Sequence, residues 1–512
     1  MPEFKAIAKR TKKPQNGWII ARKVTQAIAF LVFLVTLFLT RNNSLSYTTL
    51  SIPERLSPLT MLASLISSRT FLVGMTLSLV LVVLSLTFGR AWCGWLCPLG
   101  TILDVFKFKN RKSVVPEKLR TLKYALLIII LVAAIFSNLT LLFLDPLTIF
   151  TRSFTISILP VLDSMITAVE RFLVTIAPLR DVVLAFDALI RPAVFPAEPV
   201  VFQYSIVFSV FLAGIILLNL VAERFWCRYI CPLGGLLGFF SKLALFKRQV
   251  KESCVSCALC KTYCPTSTID PDRGFESDPS ECTMCMNCLE SCRKDSVTFA
   301  PKLSLAKLRE YDPNRRSILR SALISITAVA LLSVEWIKRI PQNFRLRPPG
   351  VDDEDKFTAT CIRCGLCMKV CPTHGLQPDM IETGISNVST PILIPRHGFC
   401  QYSCNACGQI CPVGAIPALP LEEKKQLPIG KAYIDHNRCI AWSDHRSCIV
   451  CEEMCPLPEK AITLEIGEFT SPEGEKFTLQ LPVVNRLTCI GCGTCEFKCP
   501  VSGDAAIRVY TL

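Results

Sequence analysis

The chain has 512 residues, is 51% hydrophobic and carries a formal net charge of +15. That length, with a positive mean hydropathy of +0.42, excludes a small disulfide-stapled secreted domain and places the chain in the membrane class. The surplus basic residues flank apolar segments and form no aromatic-interleaved patch, so no nucleic acid partner is expected.

A spanning helix needs about 20 mostly apolar residues. Segments 24–40, 70–88, 124–144 and 204–221 meet this description, and a shorter, weaker one occupies 318–334. Basic residues cluster at 5–23, 107–123 and 242–251. In an up-and-down layout of four spans these clusters fall on one side, which the positive-inside rule makes cytoplasmic. Residues 145–203 are nearly charge-balanced and suit an outer loop. The N-terminal apolar run lacks a small-residue cleavage site and reads as an anchor.

An internal repeat follows the second and fourth spans. Residues 90–106 read RAWCGWLCPLGTILDVF and residues 224–240 read RFWCRYICPLGGLLGFF. In a helix, Cys93 and Cys97 share a face at i,i+4, and Cys227 and Cys231 do the same. Two such faces bring four sulfurs together at the membrane's inner surface. An additional metal or cluster site and a redox-active dithiol both fit, as does simple packing of small interface residues.

The remaining 24 of the 28 cysteines form six runs of four. Cys254, Cys257, Cys260 and Cys264 precede Pro265 with the C-x2-C-x2-C-x3-C-P spacing of bacterial ferredoxins. Cys282, Cys285, Cys288 and Cys292 follow, with Arg293 where a proline is usual. In two-cluster folds the fourth cysteine ligates the other cluster. This predicts one [4Fe–4S] cluster on Cys254, Cys257, Cys260 and Cys292, and another on Cys282, Cys285, Cys288 and Cys264. Four further runs are Cys361, Cys364, Cys367, Cys371; Cys400, Cys404, Cys407, Cys411; Cys439, Cys448, Cys451, Cys455; and Cys489, Cys492, Cys495, Cys499. Nested and adjacent exchange of their fourth cysteines both fit. Zinc is disfavoured by the repeated four-thiol runs and the scarcity of histidine. Haem is not expected: His374, His397, His436 and His445 all lie beyond the four spans, and no C-x-x-C-H occurs.

Between the two groups of runs, Arg315 and Arg316 precede the fifth apolar stretch and are similar to a twin-arginine export signal. Plain positive-inside anchoring of a fifth helix predicts the same topology, with 346–512 extracytoplasmic and 246–300 cytoplasmic. Lys338, Arg339, Arg345 and Arg347 beyond the stretch weigh against a crossing, and without one all six clusters are cytoplasmic. The linker at 345–355, with Pro348 and Pro349, marks a domain boundary. Strand-like pieces at 431–434 and 505–510 suit ferredoxin-like modules.

The expected fold is an α-helical membrane domain, with four spans arranged as a duplicated helix pair plus a fifth weaker span, joined to α+β ferredoxin-like iron–sulfur domains. The expected domains are 1–245 (membrane), 246–300 (two clusters), 301–345 (basic linker and fifth span) and 346–512 (four clusters).

Residues 1–300 resemble NapH, a membrane quinol-dehydrogenase ferredoxin, through the four spans, W-C-G-W-L-C-P, W-C-R-Y-I-C-P and the run pair at 254–292. Residues 313–512 resemble the exported polyferredoxins NapG and MauM through the twin arginines and the four runs. The chain looks like a fusion of the two, which puts the export-like signal mid-chain. The resemblance implies quinol dehydrogenase activity, with electrons drawn from the quinone pool in the lipid bilayer and passed outward to an extracytoplasmic oxidoreductase. Two other readings are an electron-donating maturation or metal-handling accessory, and a membrane anchor and wiring subunit of a larger respiratory complex. No catalytic acid–base set is visible.

Overall fold

The computed structural model describes residues 17–40, 46–71, 73–108, 115–194, 201–301, 323–324, 326–327, 345–380, 383–470 and 476–511. The twin arginines, and the fifth apolar stretch apart from four of its residues, lie outside the described residues. The chain forms two compact units. One comprises Met1–Phe33, Leu79–Leu127 and Ile215–Arg315, and the other Leu34–Ser78, Ile128–Gly214 and Arg316–Leu512.

In the first unit, apolar helices lead into a small ferredoxin-like part. The strand Phe246–Val250 pairs antiparallel with Val297–Pro301, in register Phe246 with Pro301 and Val250 with Val297. This pairing ties together the two ends of the 246–300 segment. Inside it lie a two-residue ladder, Ile269–Asp270 against Glu276–Ser277, and the short helices Leu259–Thr262 and Asn287–Ser291. Ile269, Phe275, Cys288 and Val297 form its core. Leu245 N–H donates to Leu86 O (2.9 Å), and Phe88 stacks on Phe246.

The second unit has its own helices and three antiparallel strand pairs. Ser57 caps the helix Pro58–Ser68 by accepting from Thr60 N–H, and Asp145 caps Pro146–Ser153 by accepting from Leu147 and Thr148 N–H. Each cap is followed by proline at the first helical position, where its missing N–H costs nothing. The strand pairs are Leu376–Pro378 with Pro391–Leu393, Lys431–Ile434 with Ile507–Tyr510, and Ile462–Thr470 with Lys476–Val484. Phe357, Met368, Ile462 and Val509 belong to one core with cysteines of the ligand loops.

Among the described residues, Gly17–Leu39 is the one helix long and apolar enough to cross a membrane by itself. The other three predicted spans are shorter helices, two of them extended by 3-10 turns: Val73–Leu77 leads into Ser78–Phe88, and Ser205–Leu217 continues into Leu218–Leu220. Thr121–Ile135 stands apart from the 3-10 turn Thr140–Leu144. The stretch 145–203, expected as the outer connection between spans, contains the helices Leu159–Val174 and Arg180–Val194 after a π turn at Phe154–Ile158. Charge balance carried no information about its local structure, whereas the Asp145-Pro146 cap did.

Candidate metal centres

The cysteine loops share a backbone signature. In four runs the residues on either side of the second cysteine have positive φ: Ser256 (53°) and Ala258 (57°), Met284 (49°) and Met286 (62°), Arg363 (58°) and Gly365 (85°), Gly491 (67°) and Gly493 (82°). A left-handed backbone costs a non-glycine residue roughly 1–2 kcal/mol. In return, such turns aim successive N–H groups into a concave nest that favours an anion. The runs starting at Cys400 and Cys439 have longer first gaps and do not use this pair of conformations.

A short helix carries the third cysteine of each run, and the fourth lies just past its end. Cys371 and Cys411 are extended there, with ψ of 115°, as a following proline favours. Cys292 adopts the same conformation (ψ 118°) although Arg293 replaces the proline.

Each fourth cysteine lies with the first three of a neighbouring run. Cys254, Cys257 and Cys260 line one pocket together with Cys292. Cys264 lies within electrostatic range of Cys282, Cys285 and Cys288. Cys411 stands in the same relation to Cys361, Cys364 and Cys367. Cys371 joins Cys400, Cys404 and Cys407 around one pocket. Cys499 joins Cys439, Cys448 and Cys451 around another, and Cys455 joins Cys489, Cys492 and Cys495 around a further one. Of the two exchange patterns open from sequence, the geometry has the adjacent one.

The four C-terminal sets form two linked pairs. The helices Leu366–Val370 and Ala406–Ile410 pack together, as do Val450–Glu453 and Thr494–Lys498. The two pairs are joined where Cys400 N–H donates to Cys492 O (2.8 Å).

The donor sets fit iron–sulfur cubanes. Among the described residues, no three His, Cys, Asp or Glu side chains are grouped to hold a single metal ion. A cubane spreads four thiolates over its corners, and each set supplies four cysteines. Burial pushes the thiols of Cys288, Cys400 and Cys451 up to about 12. They are therefore protonated at neutral pH until a metal displaces the proton. Buried arginines supply counter-charge that sequence reasoning did not single out. Arg248 lies near Cys260 and Cys288, Arg152 near Cys364, and Arg363 near Cys361. Arg363 also donates to the carbonyls of Cys361, Ser386 and Val388 (2.8–3.0 Å). The signal available was a charged residue inside the tight loop Cys361-Ile362-Arg363-Cys364.

The duplicated motif is not one continuous helix. In the first copy Ala91–Trp95 ends before Pro98–Val105 begins, and in the second the π turn Trp226–Ile230 ends before Pro232–Ser241. Cys97 and Cys231 cap the second helices with ψ of 120° and 109°. The cause is Pro98 and Pro232, which hold the preceding residue extended. The expected i,i+4 face is thereby corrected. In both copies the second cysteine's N–H instead reaches five residues back, Cys97 to Trp92 O (3.0 Å) and Cys231 to Trp226 O (2.8 Å). All four cysteines are buried and free.

Two families of 4Fe-4S binding domain match the chain, one (Fer4_5) at 70–116, 204–251 and 407–419, the other (Fer4) at 356–377. The ferredoxin-type protein MauM of Methylorubrum extorquens is 32% identical over 206 residues, 38% of this chain and 89% of its own. NapG of Haemophilus influenzae is 33% identical over 39% of this chain and 73% of its own. The YccM protein of Escherichia coli K12 is 26% identical over 53% of this chain and 69% of its own. No solved structure matches. The chain belongs to the family of ferredoxin-type proteins that includes MauM and NapG.

Proposed function

We propose that this ferredoxin-type electron-transfer protein is a membrane-bound fusion of a NapH-like part and a NapG-like part. It draws electrons from quinol and delivers them to an extracytoplasmic oxidoreductase. When bound at the six cysteine sets, [4Fe–4S] clusters supply one-electron carriers. The chain's own residues hold these sets in a fixed order.

The observation that carries the reading is the contact of the four-set C-terminal part with segments that flank the apolar helices. In that unit Arg152 Nη1 donates to Arg363 O (3.4 Å), Thr140 Oγ1 to Ser386 O (3.3 Å) and Gln377 Nε2 to Val201 O (3.2 Å). These contacts put the loop of Cys361 and Cys364 against the segments 140–157 and 201–205. In the other unit, Arg120 from the basic segment 107–123 donates to Thr266 O and Ser267 O (3.1 and 2.8 Å). The basic segment therefore meets the two-cluster part, and the charge-poor segments meet the four-cluster part. Under the positive-inside rule this supports a cytoplasmic 246–300 and an extracytoplasmic 346–512. Rows of exposed apolar side chains, such as Ile28, Leu31 and Val32, or Ile206, Val207 and Val210, support lipid around the helices. In this reading, electrons from quinol oxidised on the outer side enter the four-cluster part without crossing from the cytoplasmic pair.

The test is anaerobic reduction of the purified full chain in lipid by a quinol analogue, followed by visible absorbance. Bleaching of the iron–sulfur bands is expected. No bleaching with quinol, but full bleaching with dithionite, rejects quinol as donor and leaves a ferredoxin with another one. Protease added to intact spheroplasts should cut 346–512 and spare 246–300; the reverse rejects the topology.

A further inference from the structure

Arg90 opens the first copy of the duplicated motif and Arg224 opens the second. Each reaches across to the other copy. Arg90 Nη2 donates to Cys227 O (3.2 Å), and Arg224 Nη1 donates to Cys93 O (2.9 Å). This exchange brings the four cysteines to one place. Cys231 lies within electrostatic range of Cys93, Cys97 and Cys227, and Cys97 within range of Cys93 and Cys227.

The charges around this place do not balance. Arg22, Arg90, Lys123 and Arg224 are all buried, at 4%, 1%, 0% and 1% exposure. Two carboxylates serve them. Glu281 pairs with Arg90 (3.2 Å) and Lys123, and Asp104 pairs with Arg224 (2.6 Å) and Arg22 (3.5 Å). Although burial opposes ionisation of Asp104, Arg224 holds its carboxyl well below the usual range. Arg228, 3% exposed and within electrostatic range of Glu281, adds a fifth, so the buried cations here outnumber the two carboxylates. Uncompensated buried charge is strongly unfavourable, so an anion belongs here.

We propose that Cys93, Cys97, Cys227 and Cys231 together hold a further [4Fe–4S] cluster at the seam of the duplication, with Arg90 and Arg224 as its counter-charges. A [4Fe–4S] core with charge +2 on four thiolates carries two net negative charges, which offset part of that positive surplus. Binding displaces four thiol protons to solvent. The backbone is shaped for sulfur at both copies. Gly234 N–H donates to Cys231 Sγ (3.2 Å), and a Cβ at Gly234 would lie 3.5 Å from that sulfur and 2.6 Å from Arg90 Nη2. A Cβ at Gly100, the matching position, would lie 2.8 Å from Cys93 O and 3.8 Å from Cys97 Sγ. Both copies fall within matches to a 4Fe-4S binding domain, although neither copy alone has four ligands.

The neighbour of this site is the set of Cys264, Cys282, Cys285 and Cys288. Trp95 Nε1 donates to Met284 O (2.9 Å), between Cys282 and Cys285. Arg224 lies within electrostatic range of both Cys227 and Cys285. The site is placed as a one-electron carrier beside that set.

The experiment uses the full chain, purified anaerobically in detergent. Iron per chain should be about 28, against about 24 for six cubanes. C97S/C231S should lose about four irons and one reduced-cluster EPR signal, with no zinc in their place. R90Q, which keeps all four cysteines, should retain the iron and lower the midpoint potential of that one signal. Unchanged iron and EPR in C97S/C231S, or zinc at the site in wild type, overturns the proposal. If C97S/C231S cannot be purified, about 24 irons in fully loaded wild type overturns it as well. The difference between wild type and C97S/C231S reads these four cysteines alone, whatever the fate of the quinol reading.

Discussion

Replacing Glu281 by Gln should destabilise the first unit sharply. The Glu281 side chain is 5% exposed and is the carboxylate for both Arg90 and Lys123, themselves 1% and 0% exposed. The amide is nearly isosteric, so packing is kept and charge alone is lost. Removing one member of a buried pair costs about 3–5 kcal/mol, because the partner is left charged in a poor solvent. Spread over a unit of this size, that corresponds to a fall in Tm of roughly 10 °C. The assay is thermal unfolding of the full chain in detergent, followed by tryptophan fluorescence, since Trp92 and Trp95 lie in this unit. Lys123→Met should partly rescue the variant by removing one orphaned cation, with a coupling of about 1–3 kcal/mol in the double-mutant cycle. Strict additivity of E281Q and K123M would refute the shared-carboxylate argument, as would a loss under about 1 kcal/mol for E281Q alone.

Cys292→Ser should remove the same EPR signal as Cys254→Ser, and Cys264→Ser the same signal as Cys282→Ser; the opposite grouping contradicts the exchange of fourth ligands. Ala258→Gly should stabilise the ferredoxin-like part by about 0.5–1 kcal/mol in thermal unfolding, because φ of 57° strains alanine; a destabilised variant contradicts this. Glu54 is fully buried, and burial raises its carboxyl from the ordinary 4.5 to about 7, against a hydrogen bond from Thr151 (2.6 Å). Its folded-state pKa is above the unfolded one, so its contribution is complete below about pH 4.5 and is lost as pH rises through 7. Glu54→Gln should therefore match wild type in Tm near pH 5 and exceed it near pH 8.5, by up to ~3 kcal/mol. An equal Tm difference at both pH values would contradict the shift.

What could be read in the sequence followed from how local each constraint is. The ligand runs are local: spacing sets the loop, and the loop sets three sulfurs. The fourth cysteine is a tertiary matter, and the choice between nested and adjacent exchange depended on which short helices pack. The strand at Lys431–Ile434 was legible from its own residues, but the hairpin Ile462–Thr470 with Lys476–Val484 was not marked out. Its alternation is diluted by Glu465, Glu468 and Gly467. The four main apolar segments were legible as helices; Gly17–Leu39 is continuous, while the other three are interrupted by turns or 3-10 segments that composition does not register. Arginines 90 and 224 were visible as a repeated residue, but their partners were not. Asp104 and Glu281 lie outside any period, and their role comes only from the crossing of the two copies.

That crossing also explains where the two copies differ. Position 104 is Asp in the first copy, and the matching position 238 in the second is Gly. Asp104 serves Arg224, so symmetry would have residue 238 serve Arg90. Instead the backbone of 280–284 lies there: a Cβ at Gly238 would meet Ser280 O at 2.9 Å and Tyr124 Oη at 3.1 Å. Glu281 then supplies Arg90 with the carboxylate that the second copy lacks. A similar approach occurs at Gly94, where a Cβ would meet Thr283 O at 2.1 Å, and whose counterpart is Arg228. The ferredoxin-like part therefore completes the duplicated motif chemically as well as covering it. Gly238→Ala should act by lifting Ser280 and withdrawing Glu281 from Arg90. Its cost should overlap with that of E281Q, so the double variant should fall short of the sum by at least about 1 kcal/mol. Full additivity would mean that the glycine and the carboxylate act independently, and that the ferredoxin-like part only packs against the motif.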